Sequence, residues 1–220
     1  MNHVVKRTIT ALTVAALVAA AIVYTPAFVL PWAFAGLATL AIVEYAMLLS
    51  LKLKVGSWRF AIALVLGSAV LSGALFSLLL AAWRHGNLMM LYLIAIVKLS
   101  DMGGFAFGLG SQRLFGGNHK MCKTISPNKS WEGLAGSIVG SMLISFAFLP
   151  ITGFSAPKAA LFGLVAALAG TFGDLVESKF KRWAGVKDSS QMKITNGMGG
   201  VLDMLDSLTF APALLLPFIG

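Results

Sequence analysis

Seven apolar runs, most of them about as long as a bilayer is thick, constrain this chain more than any other feature. They cover approximately Thr8–Tyr24, Ala27–Ser50, Phe60–Trp83, Leu88–Leu109, Trp131–Ile151, Ala156–Leu175 and Gly199–Phe218. A helix needs about 20 apolar residues to cross the hydrocarbon core. Composition agrees: 58% of the residues are hydrophobic and 11% are charged, against about 25% charged in a soluble domain. The expected fold is all-α, a polytopic transmembrane helical bundle of about seven spans with its N-terminus in the cytoplasm. It reads as one integral membrane domain over residues 1–220, with N-terminal helices at about 1–85 and the polar motifs at about 86–220. The first run follows Lys6 and Arg7 and resembles a signal peptide, but it lacks a convincing cleavage site and leads straight into the next run. It is therefore read as a retained helix. Cys122 is the only cysteine, so an internal disulfide is excluded.

The basic residues set the orientation. With a cytoplasmic N-terminus, the inner segments hold 14 of the 17 lysines and arginines, among them Lys52, Lys54, Arg113, Lys120 and Lys179. The outer loops hold Arg84 and Lys158, and Lys98 lies within a span. Such an excess marks the cytoplasmic side. The net charge of +9 therefore encodes topology. With no aromatic–basic platform in the chain, it does not point to nucleic acid. The same topology puts all eight acidic residues in cytoplasmic loops or in the cytoplasmic parts of spans.

A carboxylate at the centre of a spanning helix costs about 2.5–3.5 kcal/mol on insertion scales. Acids that gather at one interface therefore imply a cation or chemistry that offsets the cost. Asp203 and Asp206 are three residues apart, which on a helix puts them on one face. Asp174, at the inner end of the preceding span, can approach them at the same depth. Three such carboxylates suit a hard cation, and oxygen-only ligands suit Mg²⁺, which keeps waters and substrate phosphates in its other positions. The bland reading is helix-terminal charges paired with lysine and arginine. Lys179, Lys181, Arg182, Lys187 and Lys193 ring this cluster; they serve either phosphate oxygens or topology alone. Gly197, Gly199 and Gly200 lie at the start of the last helix, where backbone N–H groups could meet an anion.

A second constellation runs from Ser100 to Phe105 and on to Lys123–Gly133. Asp101 is either the ion-pair partner of Lys98, one turn earlier, or part of a polar wall facing substrate. Ser126-Pro127-Asn128 reads as a turn. Ser130 and Glu132 are either the cap and first turn of the fifth helix or substrate contacts. That cap leaves Lys123 and Lys129 unexplained. Glu44 reads as a packing or hydrogen-bonding residue.

The run S-P-N-K-S-W-E-G at Ser126–Gly133, the run G-D-L-V-E-S-K-F-K-R at Gly173–Arg182, Lys187-Asp188 and the G-G-V-L-D-M-L-D ending resemble the phosphatidate cytidylyltransferase family. Ser100-Asp101 and G-G-N-H-K at Gly116–Lys120 resemble it as well. Similarity runs from Glu44 to the C-terminus and is sharpest from Lys98 to Leu208. The resemblance implies Mg²⁺-dependent transfer of CMP from CTP to phosphatidate, giving CDP-diacylglycerol and pyrophosphate for phospholipid biosynthesis. It implies Asp174, Asp203 and Asp206 as metal-binding acids, aided by a second cation, and Lys187 and Asp188 as a further catalytic pair. It implies substrate contacts from Ser126, Lys129, Ser130, Glu132, Ser178, Lys181 and Arg182, and the residues themselves add Asp101, Lys123, Gly199 and Gly200 as candidates. It also implies a bacterial inner (plasma) membrane, a site facing the cytoplasm, membrane lipids as partners and a homodimer. Two positions depart from the family pattern: Met198 stands where a histidine is expected, and Met204 where an arginine is expected.

The mechanism expected from the residues agrees with the resemblance. The lipid phosphate is already ionised and attacks the α-phosphorus of CTP, so the site must suppress anion repulsion and stabilise the leaving pyrophosphate. Rival readings are a CTP-dependent lipid kinase, a cytidylyltransferase for another lipid acceptor and a weakly active or non-catalytic paralogue. A cation-coupled transporter is a further rival, but it would place its acids near the bilayer midplane and often show inverted repeats.

Overall fold

Long helices make up most of the computed structural model, which describes residues 17–26, 28–187, 189 and 200–219. Residues 17–24 are helical. They are followed by α1 (Leu30–Ser50), α2 (Trp58–His85), α3 (Asn87–Phe115), strands β1 (Lys120–Cys122) and β2 (Ser126–Ser130), α4 (Trp131–Ala147) and α5 (Leu149–Thr152). Then come α6 (Ala156–Ala184), α7 (Val201–Leu205), α8 (Ala211–Leu215) and a 3₁₀ turn at Leu216–Phe218. Four helices, α1, α2, α3 and α6, are long and apolar enough to cross a membrane. The chain is a helical integral membrane protein.

Several boundaries differ from those read in the sequence. α3 and α6 run past their apolar stretches, to Phe115 and Ala184, and carry polar residues on helical turns beyond the hydrophobic run. Each stops where a glycine takes a positive φ, Gly116 at 70° and Gly185 at 84°, a conformation that glycine adopts without a Cβ penalty. The fifth run divides into α4 and α5, with Pro150 in the first turn of α5. The last run is no single helix. α7 gives way to turns over 206–210 before α8 begins. Pro212, at the start of α8, has no N–H to donate and its ring excludes a helical carbonyl four residues back, at Leu208.

The helical expectation also omitted a hairpin. β1 and β2 pair antiparallel, Lys120 opposite Ser130 and Cys122 opposite Ser126, with an irregularity between those pairs. β2 thus holds extra residues, as a bulge does, and Pro127 lies among them, where a missing N–H breaks no ladder.

α3 lies at the centre of the bundle. Its Tyr92, Leu93 and Ile96 are fully buried among Leu78 of α2, Phe162 and Ala166 of α6 and Leu215 of α8. The buried Tyr92 hydroxyl is satisfied by Ser145 Oγ on α4 at 2.8 Å. Large apolar side chains such as Trp32, Val65, Phe76 and Leu161 point outward and are exposed, as a lipid-facing surface requires.

Candidate active site

The close approach of α3 and α4 sets the depth of the first group of polar residues. A Cβ on Gly133 would lie 3.0 Å from the Gly104 carbonyl oxygen, and one on Gly140 would lie 2.8 Å from the Leu99 carbonyl oxygen. These small residues thus bring the two backbones together. Asp101 lies on α3 between these contacts. Ser130 caps the start of α4, its Oγ accepting from the Gly133 N–H at 3.1 Å. Ser130 is 2% exposed. Glu132, in the first turn of α4, faces back to the loop. Its two oxygens accept from the His119 N–H at 3.1 Å, and Oε1 lies 2.6 Å from His119 Nδ1. With Trp131 N–H donating to the His119 carbonyl at 2.9 Å, this clasp closes the base of the hairpin.

The hairpin forms one wall of a cavity of about 250 Å³. Asp101 and Gly104 of α3, Ser126, Asn128, Lys129 and Ser130 of β2, Ser137 of α4, and Thr171 and Asp174 of α6 line it. The Lys129 ammonium donates to Asp174 Oδ2, across 45 residues of sequence. The other Asp174 oxygen is buried and has no hydrogen-bond partner among the described residues. Lys98 acts on Asp101 as a nearby opposite charge, but its hydrogen bonds go elsewhere. Its ammonium donates to the Met204 carbonyl at 2.7 Å and to Ser207 Oγ at 3.0 Å.

A second group gathers around the start of α7. Lys181 donates to Glu177 Oε2 at 3.1 Å and to Asp203 Oδ1 at 2.6 Å. Asp203 Oδ2 accepts from the backbone N–H groups of Gly200 at 2.8 Å and Ser189 at 3.1 Å. Gly173 joins the two groups. A Cβ there would strike the Asp206 carbonyl oxygen, so only glycine lets α6 approach the turn after α7 this closely. Asp206 accepts from the next N–H, Ser207, at 2.6 Å. It is near enough to Asp174 and Asp101 to interact with both electrostatically.

Most of the residues singled out from sequence therefore lie in two adjoining groups at one end of the bundle. Some are placed apart. Arg182 is turned to the Val186 carbonyl at 3.1 Å and is exposed. Lys123 and Lys187 are exposed, and Ser178 is partly buried. Asp188, Met198 and Gly199 lie outside the described residues. Asn128 and Thr171 line the cavity and were not singled out. Thr171 is three residues before Asp174 on one helix face, and Asn128 is in the middle of the S-P-N-K-S run, so both signals were present.

No group of three acidic, histidine or cysteine residues among those described is arranged to hold a metal ion. Asp203 has both oxygens engaged by Lys181 and backbone N–H groups. Asp174, with a buried oxygen that no hydrogen bond among the described residues satisfies, and Asp206 retain ligand capacity. That donor set fits Mg²⁺, which is often held by one or two carboxylates with waters and substrate phosphates completing the shell.

A model of the cytidylyltransferase family matches residues 1–219. The phosphatidate cytidylyltransferase of Haemophilus influenzae is 38% identical over 138 residues, 58% of this chain and 44% of that protein. The Staphylococcus aureus protein of the same name is 42% identical over 127 residues, 57% of this chain and 46% of its own length. The one from Staphylococcus haemolyticus is 40% identical over 127 residues, with the same shares. The chain spans about half the length of the relatives it matches.

Proposed function

The chain belongs to the cytidylyltransferase family, and from that premise we propose that it transfers CMP from CTP to phosphatidate or a similar lipid phosphate. The products are CDP-diacylglycerol and pyrophosphate, and the role is phospholipid biosynthesis. The observation that carries this reading is the meeting of Lys129 and Asp174 beside Asp101 in one cavity at the end of the bundle. An ammonium there suits a phosphate, and a carboxylate with an unsatisfied oxygen suits a cation.

In this reaction an oxygen of the lipid phosphate forms a bond to the α-phosphorus of CTP. The α–β anhydride bond breaks, and its electron pair leaves with pyrophosphate. The nucleophile is already ionised, so no side chain has to take a proton from it. Lys129 neutralises phosphate charge, and the Ser126 hydroxyl and Asn128 amide beside it offer donors that fix the headgroup. Lys181 keeps Asp203 ionised and oriented. Mg²⁺, held by Asp174 and Asp206 with Asp203 nearby, would supply charge neutralisation between the two anions and on the leaving group. A second cation would add to the same effect.

The proposal includes the path of the chain: seven spans, a cytoplasmic N-terminus and a site that faces the cytoplasm of a bacterial inner membrane. The basic-residue bias supports that orientation. CTP would arrive from the aqueous side, and the lipid would enter laterally between spans. The homodimer implied by the resemblance belongs to the same proposal.

The test is turnover by purified protein given CTP labelled in the α- or γ-phosphate, with phosphatidate or a lipid alcohol, with and without Mg²⁺. Transfer of α-label to phosphatidate, with Mg²⁺ required, supports the proposal. Transfer of γ-label to the alcohol would make the protein a kinase and end it.

A further inference from the structure

α7 carries Asp203 and is followed directly by Asp206, yet it is only five residues long. A single turn of helix does not hold itself together, because nucleation is unfavourable and its terminal N–H and C=O groups have no partners within it. Two side chains from distant spans supply those partners. Glu44, on α1 and 3% exposed, accepts from the N–H of Val201 at 3.0 Å and of Leu202 at 2.8 Å. Lys98, on α3, donates to the Met204 carbonyl at 2.7 Å and to Ser207 Oγ at 3.0 Å. The carboxylate thus meets the positive end of the turn and the ammonium meets its negative end. Each charge sits on a helix that crosses the apolar region, where it needs such contacts to be tolerated. Neither residue lines the cavity.

We propose that Glu44 and Lys98 are positioning residues: opposite charges from α1 and α3 clamp α7 so that Asp203 and Asp206 stay directed at α6. The inference rests on the cytidylyl-transfer reading above. Glutamine at position 44 keeps one acceptor and turns an NH₂ group toward an N–H, so it opens one jaw without changing the volume. Methionine at 98 removes the other jaw, while arginine restores a cation with donors.

The experiment uses the purified full chain and two readouts. One is steady-state CMP transfer to phosphatidate. The other is the rise in Tm on titration with Mg²⁺ alone, without nucleotide or lipid. For Glu44→Gln and Lys98→Met, kcat falls about tenfold or more while the KM for CTP changes less than about threefold. In both, the Mg²⁺ concentration that gives half of the Tm rise increases about fivefold or more. Lys98→Arg keeps kcat within about threefold of the wild type, because it restores charge and donors. If Lys98→Met does not yield folded protein, Lys98→Gln, which keeps a donor, is read in its place. Wild-type kcat and Mg²⁺ response in the variants overturns the clamp. So does loss of the fold in both Glu44→Gln and Lys98→Gln, since the residues would then hold the bundle and not the segment. A wild-type protein that shows neither turnover nor a Mg²⁺ response contradicts the functional reading itself, and is told apart from failure of the clamp because it needs no variant.

Discussion

Lys181 lies between Glu177 and Asp203 with 13% of its side chain exposed, while its neighbour Arg182 is turned out to the Val186 carbonyl. In the sequence the two cations are indistinguishable members of one K-R pair. Their roles separate only because α6 continues to Ala184 and rotates one inward and the other outward, a direction that a short charged run does not encode. Asp203 was legible as an important acid, but its lysine and backbone partners were not, since they come from 22 residues upstream and from the loop before α7. Replacing it leaves Lys181 with one carboxylate and two N–H groups facing an amide. We expect Asp203→Asn to lower turnover by about 10²-fold or more while the protein stays folded. A folded Asp203→Asn protein that turns over at the wild-type rate would contradict a role for the Lys181–Asp203 pair.

Among the elements, the small face of α4 has a sequence signal in Gly133, Gly136 and Gly140 at helical spacing, but that spacing does not say which helix it meets. The hairpin had no such signal. Its strands have three and five residues, too few to show an alternating pattern, and Pro127 made β2 look like a turn. The break after α7 had a visible cause in Pro212, which the apolar run around it masked. The α3–α4 contact gives its own prediction. In Gly140→Ala the new methyl meets the Leu99 carbonyl at 2.8 Å, and backbone cannot rotate away as a side chain can. We expect a loss of about 1–3 kcal/mol of stability, read as a lower Tm in detergent, with activity falling because α3 also carries Asp101. An unchanged Tm would mean that the helices are further apart than described.

At the scale of the molecule, the described acids lie toward one end although they come from five separate stretches of chain. Glu44 reaches α7, Lys129 of the hairpin reaches Asp174 of α6, and Lys181 of α6 reaches Asp203. Hydropathy and the basic-residue bias made this one-ended arrangement legible before any contact was known. They could not show that it is split into a hairpin cavity and an α7 cluster, because that division depends on side-chain direction. Topology can be tested with the single native thiol. Cys122 of β1 is partly exposed, and a membrane-impermeant maleimide should label it in inside-out vesicles but not in intact cells. In a Cys122→Ser background, His85→Cys at the opposite end of α2 should show the reverse. Labelling of both positions from one side would refute the proposed orientation.

The central claim is that the cavity shared by Lys129 and Asp174 is where the lipid phosphate and the nucleotide react. The most direct measurement is transfer of α-phosphate label from CTP to phosphatidate by the wild type and by Asp174→Asn, each with its Tm measured. The account predicts Mg²⁺-dependent labelling of the lipid by the wild type, and a fall of about 10²-fold or more in a variant that remains folded. A folded Asp174→Asn protein that labels phosphatidate at the wild-type rate would contradict it.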